Sequence, residues 1–188
     1  MELKWVPKRR NVLTLMIDEE PIRDIHTSIF GRSPKITSLE DLASLELKGA
    51  KNCALRLLSL RAYLSTTLDR ALKERLVSEE TRTKVIAEMV ALGYINDTAW
   101  IDQFIQIQMT KKTGPNAIYQ KLRAKGLKEE VICAHLQISP DTQKEQIQSL
   151  LNTKFKSHNL DDYKEKQKVI ASLLRKGFDY EQVREVLE

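Results

Sequence analysis

The sequence predicts an all-α protein of three tandem three-helix modules forming an elongated array, preceded by a short N-terminal extension in which a β-hairpin is expected. Three observations carry that expectation. From Gly49 onward, apolar residues recur at helical spacing. Gly93, Gly126 and Gly177 fall where such runs stop, as helix-terminating glycines do. The segment Leu122-Arg123-Ala124-Lys125-Gly126-Leu127 is matched, 51 residues on, by Leu173-Leu174-Arg175-Lys176-Gly177-Phe178. A unit of this length buries too little surface to stand comfortably alone, and stacked neighbours supply the missing contacts.

The extension covers residues 1–47. Val12, Leu13, Leu15, Met16 and Ile17 form a β-prone run, Asp18-Glu19-Glu20-Pro21 supplies turn residues, and Ile22, Ile25 and Ile29 follow. Thr37-Ser38-Leu39-Glu40-Asp41 reads as a helix start, with a hydroxyl cap ahead of carboxylates that favour the positive end of the helix dipole. Module 1 is assigned to 48–95, with helical stripes at Leu55, Leu58 and Leu60, at Leu68, Leu72 and Leu76, and at Val85, Ile86, Met89 and Val90. Gly93 ends it, and Asn96-Asp97 caps the next helix.

Module 2, 96–138, opens with a helix whose core positions are read as Trp100, Phe104, Ile105 and Met109. Gly114-Pro115 starts its second helix, with proline at the first turn where a backbone N–H is not needed, and Ile118 and Leu122 make the buried stripe. A short helix from Lys128 to Leu136 closes the module. Module 3, 139–188, repeats the plan with Ile147, Leu150, Leu151 and Phe155, then Val169, Ile170, Leu173 and Leu174, then Val183, Val186 and Leu187. Nine helices in three triplets result. At an offset of 50, Leu72 to Glu80 overlies Leu122 to Glu130, with Leu76 in place of the later glycines; that copy is expected to leave its helix differently.

The formal charge of +5 is concentrated. Residues 49–95 carry eight basic against five acidic side chains and 96–138 six against four, while 1–48 and 139–188 are balanced. The first two modules are therefore expected to face an acidic partner and the third to pack against protein. The stretch 103–128 holds Lys111, Lys112, Lys121, Arg123, Lys125 and Lys128 and no acidic residue. Lys121 and Lys125 are four apart and share a helix face, so a cationic patch suited to phosphates or an acidic groove is expected. Lys125, Arg175 and Lys176 also complement helix C-termini, whereas Lys111 and Lys112 precede a helix, where positive charge is unfavourable and a partner is favoured.

Catalysis is not signalled. The six glycines form no phosphate-cradling loop. His26, His135 and His158 lack a companion at metal-ligand spacing. Glu79-Glu80, Glu129-Glu130 and Asp161-Asp162 each sit at a predicted helix start, where the dipole explains them. Cys53 and Cys133 are read as two buried thiols in a reducing compartment. With no secretory signal and no membrane-spanning run, a cytoplasmic location without membrane contact is expected.

Taken together, Gly93-Tyr94-Ile95-Asn96-Asp97, Trp100, Phe104, Gly114-Pro115-Asn116-Ala117-Ile118, Leu122 and Lys125-Gly126-Leu127 resemble the RecX family. The likeness extends to Ala54-Leu55-Arg56-Leu57-Leu58-Ser59-Leu60-Arg61 and to Leu173-Leu174-Arg175-Lys176-Gly177-Phe178. It implies a non-enzymatic regulator, without cofactor, that binds in the groove of the RecA–DNA filament. Such a protein modulates, mainly by inhibition, RecA ATPase, strand exchange and coprotease activity, in recombination, DNA repair and the SOS response. Single- or double-stranded DNA is then met through the filament, with a monomer as the expected form. Arg61, Lys111, Lys112, Lys121, Arg123, Lys125, Arg175 and Lys176 are the RecA- or DNA-binding candidates. The chain departs from the family pattern at Tyr63, Leu64, Gln106 and Gln108, where basic or hydroxyl side chains are usual, so weak direct DNA binding is expected. The alternative is a stand-alone helical DNA-binding protein acting through the basic patch.

Overall fold

Val12–Ile17, the β-prone run, is the middle strand of a three-stranded antiparallel sheet: β1 (Leu3–Arg9), β2 (Val12–Ile17) and β3 (Glu20–His26), in the order β1-β2-β3. The computed structural model describes residues 3–34, 36 and 38–188. Met1 and Glu2 of the chain start and Thr37 of the first helix cap lie outside the described residues. A hairpin was expected, and β1 adds a third strand. Its sequence, Lys4-Trp5-Val6-Pro7-Lys8, alternates weakly because edge strands tolerate proline and charge. Asp18 and Glu19 join β2 to β3 with φ of 47° and 71°, positive at both central turn positions as tight hairpins require. Lys8 and Thr14 both bond Asp24 across the three strands, at 2.7 and 2.8 Å, and these bonds hold the Asp24 carboxyl below its ordinary pKa.

The rest of the described chain is helical: α1 (Thr27–Phe30), α2 (Leu39–Leu60), α3 (Ser65–Lys73), α4 (Glu79–Ala91), α5 (Asp97–Thr110), α6 (Pro115–Ala124), α7 (Glu129–His135), α8 (Pro140–Thr153), α9 (Tyr163–Arg175) and α10 (Tyr180–Leu187). Ten helices stand among the described residues, the additional one being the single turn α1. Ser38 caps α2 reciprocally with Asp41. Glu79-Glu80 and Glu129-Glu130 lie in the first turns of α4 and α7, and Asp162 caps α9, as their charge led us to expect.

By contact the chain divides into two units, residues 1–97 and 98–188. In the first, the sheet, α1 and α2–α4 share one core, with Leu15, Ile25, Ile29 and Phe30 packed with Leu42, Ala50, Cys53, Leu57, Leu68, Leu72, Val85 and Met89. α2 runs unbroken through Leu47 and Lys48. Its buried face is Leu42, Glu46, Ala50, Cys53 and Leu57, so Leu55 and Leu60, read as core, are 41% and 76% exposed.

Glu46 is the buried charge of this unit. Arg23 donates to both of its carboxylate oxygens, the Ser78 N–H and hydroxyl donate at 2.8 and 2.7 Å, and the Thr81 hydroxyl donates at 3.1 Å. Burial pushes its pKa up, but these donors outweigh burial and hold it below the ordinary value. Arg23 also donates to the Leu76 carbonyl at 2.8 Å, so one carboxylate ties β3, α2 and the α3–α4 turn together.

Leu76 overturns the expectation that the first repeat leaves its helix differently. Its φ is 58°, beside 88° at Gly126 and 89° at Gly177, and the following N–H bonds back to Leu72, Leu122 or Leu173 in turn. All three helices end in the same left-handed turn, with Val77, Leu127 and Phe178 buried behind it. A leucine there costs about 1–2 kcal/mol relative to an ordinary helical φ, and Arg23 on its carbonyl helps to hold the strained turn.

In the second unit, Ile101, Ile105, Ile118, Leu122, Leu127 and Ile132 are buried in α5–α7, and Ile147, Leu150, Val169, Leu173, Phe178 and Val183 in α8–α10. Trp100 and Phe104, read as core, are only half-buried, because the inward face of α5 is Ile101, Ile105 and Gln108. Cys133 corrects the reading of two buried thiols: α7 buries Ile132 and leaves Cys133 exposed, while Cys53 is buried.

Helices α6 and α9 meet backbone to backbone. The Gly114 N–H donates to the Lys176 carbonyl at 2.9 Å and the Asn116 N–H to that of Gly177 at 3.0 Å. The open N-terminal N–H groups of α6 thus find acceptors in the turn after α9. A Cβ on Gly114 would stand 2.2 Å from the Gly177 carbonyl carbon, and one on Gly177 2.3 Å from the Ala117 nitrogen, so neither position has room for a side chain.

Candidate nucleic-acid interface

One turn apart on α5, Trp100, Phe104 and Gln108 form a stripe that Lys112 continues beyond the helix end. The Trp100 and Phe104 rings stack with centroids 5.1 Å apart and planes at 13°. From α6, Lys125 reaches over both rings, at 5.1 and 5.6 Å, and Lys121 donates to Gln108 at 2.6 Å. The expected shared face of Lys121 and Lys125 is thus laid along α5. Gln108, where a basic residue is usual in the resembling family, is buried and accepts a lysine bond, so the cation at this point belongs to α6.

Lys112 extends the surface towards α8 and α9. Its φ is 51°, its ammonium donates to the Ser149 hydroxyl at 2.6 Å, and its carbonyl accepts from the Lys176 ammonium at 3.3 Å. Lys176 is the C-cap of α9 and Lys154 that of α8. Desolvation, and then the fields of Lys154, Lys121 and Lys112, push the Lys176 pKa below its ordinary value. Three lysines crowd a fourth. Among the described residues none of the four takes part in an ion pair, and the acceptors of Lys112, Lys121 and Lys176 are all neutral.

The remaining candidates are distributed around this cluster or away from it. Lys111, Arg123 and Arg175 are exposed, and Arg175 donates to the Ala171 carbonyl at 3.3 Å, which is the helix-end role anticipated for it. Arg61 belongs to the first unit and lies over the Tyr63 ring at 4.6 Å. Leu64, another departure, is fully buried, which leaves no room for a solvated hydroxyl there. Lys111 and Lys112 do not oppose a helix dipole as expected, because both directly follow α5, whose negative end favours them. Lys154 and Glu46 were not anticipated. Lys154 lies in a charge-balanced segment, and nothing local distinguishes it. Glu46 does carry a signal, a carboxylate at an apolar-stripe position four residues from both Leu42 and Ala50.

The histidines prove to have partners: His135 Nδ1 lies 2.7 Å from Asp102 and His158 Nδ1 3.1 Å from Glu165. Among the described residues no group of three or more His, Cys, Asp or Glu side chains is placed to hold a metal. Among them, too, no helix is long and apolar enough to cross a membrane.

A small three-stranded sheet followed by a run of helices, one surface of which is lined with lysines, defines a class of mostly helical proteins with a minor β element. Residues 141–187 match the family model described as RecX, third three-helix domain. A regulatory protein RecX of Legionella pneumophila (strain Corby) is 30% identical over 139 residues, covering 74% of this chain and 93% of that protein. One from Mycolicibacterium smegmatis is 26% identical over 145 residues, covering 73% and 77%. A crystal structure of regulatory protein RecX superposes with a TM-score of 0.63 at 21% identity, covering 98% of this chain and 96% of that one, and shares its fold. The chain belongs to the RecX family of regulatory proteins.

Proposed function

We propose that this protein regulates a RecA recombinase without acting as an enzyme, by lodging in the groove of the RecA–DNA filament. There it obstructs ATP turnover, strand exchange and coprotease activity. The observation that carries the proposal is the lysine surface formed by α5, α6, α8 and α9, on a chain of the RecX family. Four ammonium groups without carboxylate partners among the described residues suit a partner that supplies phosphates. The half-buried Trp100–Phe104 pair under Lys125 suits the mixed apolar and charged lining of a protein–DNA groove.

DNA-dependent ATP hydrolysis by purified RecA tests the proposal. Inhibition is expected at protein concentrations far below those needed to coat the DNA. Inhibition only at coating concentrations favours the alternative, a stand-alone DNA-binding protein that competes for the same strand. Lys164 and Lys168, exposed on α9 and outside the lysine cluster, serve as a control pair.

A further inference from the structure

We propose that the outer edge of β1 is a docking site for an extended acidic segment of a protein partner, which joins the sheet there as a fourth strand. The proposal rests on the first unit alone and needs neither the lysine surface nor the filament reading.

The charge balance of residues 1–48 hides a division. Within residues 1–10, Lys4, Lys8, Arg9 and Arg10 stand against Glu2 alone, and the compensating carboxylates come later, in the β2–β3 hairpin and in α2. β1 is last in the sheet order and pairs on one side only, so alternate N–H and C=O groups along its other side point away from β2. Val6, Pro7, Lys8 and Arg9 are exposed, Val6 at 46%. Trp5 pairs with the fully buried Leu15 and so belongs to the inner face of the sheet, whereas Val6 pairs with Thr14 and belongs to the outer.

The edge is ordered before anything docks. Trp5 Nε1 donates to the Pro34 carbonyl at 3.0 Å on one face, and the Lys8 ammonium donates to Asp24 at 2.7 Å on the other. Little freedom remains for β1 to lose on binding.

These features select the occupant. Backbone groups repeating along a strand edge match a peptide in β conformation. A nucleic-acid backbone offers acceptors to the N–H groups but no donors to the carbonyls. Opposite charges on neighbouring strands attract and like charges repel, so Lys8, still 58% exposed beside Asp24, and Arg9 and Arg10 after it favour carboxylates. A second copy of this chain fits poorly for the same reason, because an antiparallel pair of β1 edges centred on Val6 sets Lys4 of each against Lys8 of the other. Proline and cations guard an edge against its own kind, and an acidic strand is the one they admit. A β-branched residue of that strand covers Val6.

The test is binding of a labelled peptide of about nine residues, enough to span β1, to the full chain by fluorescence anisotropy. Glutamate and valine alternate on one face of the peptide and threonine occupies the other. Wild type is expected to bind it, and Arg9→Glu/Arg10→Glu, which leaves the Lys8–Asp24 bond in place, to bind about tenfold more weakly, as two attractions become repulsions. The same peptide with lysine for glutamate is expected to prefer the variant, a reversal that a folding defect does not produce. With proline for threonine the peptide keeps its charge but lacks half its N–H donors, and is expected to bind about tenfold more weakly to wild type. Equal binding of the proline peptide would reduce the effect to charge attraction and overturn the proposal. So would wild-type affinity in the variant, or no binding at millimolar peptide. Oligothymidylate that binds more tightly than the peptide and displaces it would assign the edge to nucleic acid instead. A dimer that forms without peptide and is lost in Arg9→Glu/Arg10→Glu would assign it to a second copy, and either result overturns the proposal. No recombinase enters these measurements, so their failure leaves the filament reading standing.

Discussion

Glu46 and Lys176 each gather charged or polar side chains from distant parts of the sequence, with opposite results. Around Glu46, Arg23, Ser78 and Thr81 saturate a carboxylate that is 2% exposed. Around Lys176, three more lysines face a half-buried ammonium whose one acceptor is a neutral carbonyl. A buried charge survives only when its partners meet its full hydrogen-bonding capacity, so the first cluster specifies a fold. A half-exposed cluster of one sign is held in place by its surroundings and leaves its repulsion unrelieved. That is the surface we propose for an anionic partner.

The largest expected effect follows from breaking the saturated cluster. Glu46→Ala leaves Arg23 and the Ser78 donors without their acceptor and is expected to cost about 4 kcal/mol, read by urea or thermal unfolding. The pH dependence has a definite sign. Because the folded Glu46 pKa lies below its unfolded value of 4.5, the carboxylate contributes stability that is fully present above 4.5 and is lost as pH falls through the folded value. Glu46→Gln is expected to flatten the stability profile in that acidic window; an unchanged profile would show that another carboxylate governs it.

Next comes the seam. Gly177→Ala forces a non-glycine residue to φ near 89° and drives a Cβ into the Ala117 backbone. Left-handed strain and overpacking together are expected to cost roughly 3 kcal/mol. The same substitution is expected to weaken phosphate binding, although position 177 carries no charge, because the seam sets the spacing of Lys112 and Lys176. A destabilised protein that binds as tightly as wild type would separate the seam from the site.

Leu76 shows where sequence reading succeeds and where it stops. The helix order, the left-handed glycine stops at Gly93, Gly126 and Gly177, and the pairing of Lys121 with Lys125 along α6 were legible because each depends on residues within one or two turns of each other. What was missed depends on partners far along the chain. Leu76 takes a glycine's conformation with its carbonyl bonded to Arg23, 53 residues away. Lys154 joins a cluster whose other members lie on three other helix segments. β1 lacks a strong pattern because it pairs on one side only. Leu76→Gly is expected to change stability by less than about 1 kcal/mol, since relief of strain is offset by the greater chain entropy of glycine when unfolded. Gly126→Leu, the mirror exchange without an arginine on the turn, is expected to cost about 1–2 kcal/mol.

The smallest effect tests the comparison most directly. If the lysine cluster is an unrelieved repulsion, removing one member stabilises the free protein, whereas removing a member of the Glu46 cluster never does. Lys154→Gln is therefore expected to raise the melting temperature slightly at low salt. The gain should vanish near 1 M salt, where the screening length falls to about 3 Å. The sign is not trivial, because Lys154 caps α8 and its charge favours that helix end. The substitution removes two opposed effects, attraction to the α8 carbonyls and repulsion from Lys176. Desolvation, and then the fields of Lys154, Lys121 and Lys112, lower the Lys176 pKa; a rise in melting temperature at low salt would show that this repulsion outweighs the helix-end attraction. A fall in melting temperature at low salt would make the lysine a helix cap first and a ligand-binding group second, and would bring the two clusters back to a single, structural role.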